Sequence, residues 1–124
     1  MRISNVGMFV KDLERAKDFF VEYFHATVHC QYQEDNGFKE YILKFDEGPK
    51  LEIMTKPEIV DEKKNINRTG FIHICFKVDS LDQLNDITEK FRSAGYQILY
   101  EPKTVGGKET RAIAFEDNIL EVSA

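Results

Sequence analysis

Only two cysteines occur in the 124-residue chain, Cys30 and Cys75, and they form no CxxC pair. A disulfide framework is thereby excluded, and a reducing cytoplasm is the simplest home. No apolar run approaches the ~18 residues of a membrane span. No secretion-signal pattern follows Met1, so a cytoplasmic protein without membrane association is expected. The same expectation makes the Asn67-Arg68-Thr69 glycosylation sequon a chance match. An excess of positive charge is also missing. Seventeen Lys and Arg stand against 22 Asp and Glu, for a net charge of -5, and phosphate backbones need clustered cations, so no nucleic-acid partner is expected. Hydrophobic residues at 42% and charged residues at 31% are ordinary globular usage and exclude disorder. The length suits one domain, with a core that needs no disulfide or metal staple.

The chain writes one pattern twice. Residues 3–10 are apolar and loosely alternating, as in a strand. Asp12 is placed to cap a helix in which Leu13, Ala16, Phe20 and Phe24 recur at helical spacing. Strands are predicted over 26–33, 38–46 and 50–54, separated by the turn sequences Asp35-Asn36-Gly37 and Glu47-Gly48-Pro49. The polar stretch 56–69 reads as a linker. A strand over 71–78 then precedes Ser80, which with Gln83 forms a capping box. Leu81, Leu84, Ile87 and Phe91 make a helical stripe, and Gly95 is the stop. Strands over 96–100, 109–115 and 118–123 complete the second copy. Residues 5–13 and 73–81 align without a gap. Leu51-Glu52-Ile53 matches Leu120-Glu121-Val122, and the spacing from 5 to 52 differs by one residue from that between 73 and 121.

Alternation along strands places Val6, Met8 and Val10 on one face and Asn5, Gly7 and Phe9 on the other. In the second copy Ile74, Phe76 and Val78 stand opposite His73, Cys75 and Lys77. The aliphatic faces are expected under the helices. Glu52 and Glu121 each sit between aliphatic residues at equivalent points of the repeat, and an inward charge is costly unless paired or metal-bound. Two readings stay open at this point. Asn5, Glu52, His73 and Glu121 converge on one divalent-metal site, since carboxylate and imidazole suit Zn, Ni, Mn or Fe. Or the sheet face is open to water and alternation places polar residues there.

These residues carry a family resemblance. The doubled βαβββ order, VGMFVKDLERAKDFF at the N-terminus, LEIM at 51–54, HICFKVDSL at 73–81 and ILEV at 119–122 resemble the vicinal oxygen chelate superfamily over nearly the whole chain. That superfamily includes glyoxalase I, extradiol dioxygenases, and fosfomycin- and bleomycin-resistance proteins. The resemblance implies an α+β fold of two βαβββ modules forming a cupped, partly open mixed β-barrel with flanking helices. The modules are residues 1–55 and 70–124, joined by the linker 56–69 in a single domain. It implies a homodimer, and a divalent metal (Ni, Zn, Mn, Co or Fe) held at the first and last strand of each module by Asn5, Glu52, His73 and Glu121. Glu52 and Glu121 are then also the candidate catalytic bases of a lyase or isomerase acting on a small molecule with vicinal oxygens.

Three departures bear on that carry-over. Asn5 stands where a histidine is expected and is a weaker ligand for borderline ions. Phe9 stands where glyoxalase I commonly has an arginine that holds glutathione, which favours a less charged ligand. The turn Phe115-Glu116-Asp117-Asn118 is shorter than is usual before the last strand. Phe9, Cys75, Lys77 and Arg111 are the candidate substrate-binding residues. The alternative function is a metal-free small-molecule binding protein of the bleomycin-resistance type, supported by Asn5 and Phe9. His25 reads as a helix end, and Gly106-Gly107-Lys108 as a loop between strands that lacks the phosphate-loop context.

Overall fold

The computed structural model describes residues 1–105 and 107–124. The chain order is β1 (Asn5–Phe9), α1 (Leu13–Phe24), β2 (Thr27–Gln33), β3 (Lys39–Lys44), β4 (Lys50–Thr55), β5 (His73–Lys77), α2 (Leu81–Ser93), β6 (Ile98–Val105), β7 (Lys108–Phe115) and β8 (Asn118–Ser123). It divides into two compact units, Met1–Glu62 and Lys63–Ala124. Each is one copy of the repeat. This is the expected α+β arrangement of two βαβββ modules, with four strands and one helix in each. Among the described residues no helix is long and apolar enough to cross a membrane.

The two units share one topology. The sheets run β1-β4-β3-β2 and β5-β8-β7-β6, and neither closes on itself. In each the first strand lies parallel to the last, while the other pairings are antiparallel. The helix between first and second strands makes this crossover possible, because parallel neighbours need a long connection. Register repeats as well. Gly7 pairs with Glu52, and Cys75 with Glu121.

Hydrophobic alternation decides which face the helix covers. In the first unit Met8, Phe20, Leu43, Leu51 and Ile53 are buried beneath or within α1, and Asn5 and Phe9 face away. In the second unit Leu84, Phe91, Ile113, Leu120 and Val122 form the equivalent core. The stripe of α2 differs from its expected form at two positions. Leu81 is exposed, and Thr88 is buried in the stripe, with its hydroxyl donating to the carbonyl of Leu84 at 2.6 Å. That bond satisfies the one polar atom Thr88 brings into the core.

The helix ends follow local chemistry. The carboxylate of Asp12 accepts from the N–H of Arg15 at 3.0 Å. Ser80 accepts from the N–H of Gln83 at 3.2 Å, and the Gln83 side chain accepts in return from Asp79 N–H at 2.8 Å, one residue ahead of the usual box. At the end of α2, Gly95 adopts φ +89°. Gly95 N–H then reaches the carbonyl of Arg92, and Tyr96 N–H that of Phe91, each at 3.0 Å. This is a Schellman ending, and Phe91 and Tyr96 close it edge to face with ring centres 6.0 Å apart. His25 ends α1 in the left-handed region, as its position beside the helix suggested. Replacing Asp12 by Ala is expected to cost about 1 kcal/mol, read as a lower urea midpoint with unchanged slope. Asp12→Asn should retain most of the stability. Equal losses in both variants would show that the cap is not what stabilises this turn.

The strand expected over 96–100 runs further, to Val105, and β7 begins at Lys108. Gly107 turns at φ +79°, and Gly106 of the expected loop lies outside the described residues. Stretch 56–69 carries neither helix nor strand.

Candidate functional site

Each unit presents the open face of its sheet through the first and last strands. In the second unit, Leu120 and Val122 are buried on either side of Glu121, so the carboxylate must emerge on the opposite face. The parallel register sets Glu121 beside Cys75, and His73 lies one alternation earlier on that same face. The result is a close contact, with His73 Nδ1 3.4 Å from Glu121 Oε1. The Glu121 side chain is only 13% exposed and that of His73 is 39% exposed. Cys75 Sγ stands 3.6 Å from Ser123 Oγ. The short turn before β8 does not disturb this arrangement. Phe115 pairs with Asn118, Glu116 and Asp117 take positive φ at the tip, and Ala112 meets Glu121. The Asn118 amide donates to the carbonyls of Phe115 and Glu116, which holds the unusual turn.

The first unit repeats the geometry with different residues. Leu51 and Ile53 are buried, and Glu52 between them is half-buried on the face shared with Asn5 and Phe9. Its carboxylate leans over Gly7. A side chain at residue 7 would place its first carbon 3.8 Å from Glu52 Oε2 and 2.8 Å from Met54 Cε. Glycine thus leaves the space that cysteine fills in the second unit.

A third carboxylate was not singled out by sequence. Glu40 on β3 pairs with Met54, while Ile42 pairs with Glu52, so Glu40 and Glu52 are diagonal neighbours on one face. Burial pushes the Glu40 carboxyl above its ordinary range, and the charges of Glu52 and Glu34 push it further. The sign for stability follows. The folded state holds this proton more tightly than the unfolded state. Stability is therefore lost as pH rises from the ordinary carboxylate range through the raised value. Glu40→Gln is expected to stabilise the metal-free protein near neutral pH by about 0.2–1 kcal/mol, the scale of like charges facing across strands. It should have no such effect in acid. Unfolding midpoints at the two pH values check this, and an equal gain at both would refute the charge argument.

The candidate residues therefore fall into groups. His73 and Glu121 are brought together, with Cys75 and Lys77 along the same face of β5. Asn5, Phe9 and Glu52 share the corresponding face of the first unit. Arg111 stands elsewhere. It pairs with Val122, on the face opposite Glu121, and its guanidinium bonds Glu109 at 3.1 Å. Tyr41 and Phe115 are buried, whereas Phe9 is 47% exposed.

The donor chemistry bears on a metal ion. An imidazole nitrogen and a carboxylate oxygen 3.4 Å apart suit adjacent positions on a borderline divalent cation. Glu52 adds a carboxylate of the same kind, and Asn5 an amide oxygen. Within the described residues no three His, Cys, Asp or Glu side chains gather into one metal-holding group. The fit is thus that of paired ligands, and it is stronger in the second unit than in the first.

Two mixed sheets, each with its first and last strands in parallel and carrying polar side chains at matched register, define a glyoxalase-type protein. The model of the Glyoxalase/Bleomycin resistance protein/Dioxygenase superfamily matches residues 2–118, and the chain belongs to that superfamily. It is similar to the uncharacterized protein YqjT of Bacillus subtilis (strain 168), 24% identical over 117 residues that cover 93% of this chain and 90% of YqjT. Its fold matches a glyoxylase/bleomycin resistance protein/dioxygenase domain from Frankia sp. EAN1pec with a TM-score of 0.84, at 17% identity over 99% of this chain and 96% of that one. It also matches a mutant of the fosfomycin resistance protein FosX from Listeria monocytogenes, complexed with Mn(II) and a dihydroxypropylphosphonic acid. There the TM-score is 0.75, at 21% identity over 98% of this chain and 90% of FosX.

Proposed function

We propose that the chain is a divalent-metal-dependent lyase or isomerase acting on a small molecule with vicinal oxygens. The observation that carries this reading is the His73–Glu121 pair, two metal-ligand side chains held 3.4 Å apart on one sheet face. The proposed ligands are His73 with Glu121 and, at the same register in the other unit, Glu52 with Asn5. The Mn(II) in the similar FosX structure supports a metal of this class. A bound ion supplies Lewis-acid polarisation of the substrate oxygens. The chain's own residues supply position and proton transfer. Buried Leu120 and Val122 fix the backbone of Glu121, so its carboxylate has little freedom to turn away. Glu121 Oε1 and the Glu52 carboxylate are the proposed proton acceptors, and the Glu121 side chain is only 13% exposed. Phe9, Cys75 and Lys77 are proposed to touch substrate, and Arg111, expected among them, is left out because it lies on the face of β7 opposite Glu121. We further propose a homodimer in the cytoplasm, formed from a single domain of the two units. A sedimentation run at micromolar concentration tests the dimer. The metal reading is tested by ion-dependent stability in the wild-type protein and in His73→Ala and Glu121→Ala.

A metal-free binding protein is the second reading, favoured by Asn5 and by the exposure of Phe9. It calls for a stability response to small molecules and none to any ion.

A further inference from the structure

We infer that the open face of the first unit's sheet binds an organic cation with an apolar or aromatic body. This face shares Glu52 and Phe9 with the proposed function, but the inference needs no bound ion. The register places Phe9, Met54, Glu40 and Tyr32 side by side across the four strands, and Gly7, Glu52, Ile42 and Cys30 in the next row. With strands ~4.8 Å apart, each row is about 14 Å long, the span of a small molecule. Two carboxylates thus sit diagonally in a surface otherwise made of aromatic, thioether, thiol and aliphatic groups. Phe9 and Tyr32 are 47% and 51% exposed. Among the described residues neither the Glu40 nor the Glu52 carboxylate has a hydrogen-bond or ion-pair partner. Lys50, further along the same face of β4, makes no ion pair with either of them.

An independent observation points to the ligand's charge. The exposed Lys56 side chain lies over the Phe9 ring, with its ammonium 5.0 Å from the ring centre. The chain's own cation already uses the face that the ligand would use, as a cation over an aromatic ring does. Gly7 keeps the space beside Glu52 open, since a side chain there would meet Met54. A bare metal ion would satisfy the carboxylates but leave Phe9, Met54 and Tyr32 in water. A quaternary or primary ammonium on a hydrocarbon frame satisfies both.

The test is a titration of chelator-treated protein with benzyltrimethylammonium, followed by amide chemical shifts. Benzyl alcohol and phenylacetate serve as the neutral and anionic comparisons. Saturable binding of the cation is expected, with shifts centred on residues 7–9, 40–42 and 52–56. Glu40→Gln should weaken it about tenfold, the scale of one lost charge contact, and Tyr32→Leu about threefold. Lys56→Ala should tighten it about two- to threefold by freeing the Phe9 ring and removing a competing charge. A gain of affinity cannot arise from misfolding. Benzyl alcohol binding as tightly as the cation, or shifts confined to the second unit, would overturn the inference. The ion-dependent stability of Tyr32→Leu is expected to match the wild type. A failed titration therefore leaves the metal reading standing, and a missing metal response leaves this one standing.

Discussion

Chelator-treated protein is expected to gain about 2.7 kcal/mol of unfolding free energy when the preferred divalent ion is present at a hundred times its dissociation constant. Ni, Zn, Mn, Co, Fe(II) and Mg form the panel. Ligand that binds only the folded state stabilises it by mass action, so the readout needs no substrate. The unfolded chain does not reproduce the site, because His73 and Glu121 meet only when β5 pairs with β8. His73→Ala and Glu121→Ala are each expected to remove most of the gain. The gain should also shrink in acid, since imidazole and carboxylate must lose their protons to ligate. Glu52→Ala should reduce it, and Asn5→His is expected to increase it by replacing an amide oxygen with an imidazole nitrogen. A flat response to every ion, or a gain that survives both second-unit variants, would remove the metal reading and turn the search to small molecules.

Leu120→Ala is expected to cost 2–5 kcal/mol, the usual range for a large apolar side chain removed from a packed interior. Leu120 is fully buried, and its strand carries Glu121 on the other face. The loss should appear in urea unfolding as a lower midpoint. Glu121→Gln, one residue on, removes a charge from the open face and should change stability far less. The pair of variants separates the two faces of one strand. A cost below about 1 kcal/mol for Leu120→Ala would mean that the inner face of β8 is not packed as described.

Much of this architecture was legible in the sequence, and the reasons are particular. The helical spacing of Leu13, Ala16 and Phe20 and the caps at Asp12 and Ser80 are local signals, and the helices form where they indicate. The repeat told which strands correspond, and the matched registers of Glu52 and Glu121 bear that out. Other features depend on pairing between distant strands, which no local pattern encodes. The reach of β6 to Val105 is one. Its stretch contains Pro102 and Lys103, and its pairing with β7 shifts register twice. Thr88 in place of Leu81 is another, since a threonine can be buried once its hydroxyl finds the carbonyl of Leu84. The third is Glu40. Nothing in its neighbours marks it, and it matters only because β3 lies against β4 at one register. The side of the sheet taken by Arg111 follows from the β7–β8 register in the same way.

In both units the strands joined in parallel are the first and the last of the module. Asn5 and Glu52 are consequently 47 positions apart in the chain, and His73 and Glu121 are 48 apart. Neither pair can exist in a partly synthesised or partly folded unit, because the last strand to emerge completes it. A contact this distant carries the loop-closure cost of nearly the whole unit. Anything that bridges the two strands would act as a clasp on that loop, tying the unit's beginning to its end. Occupancy of the site and integrity of the fold would then rise and fall together.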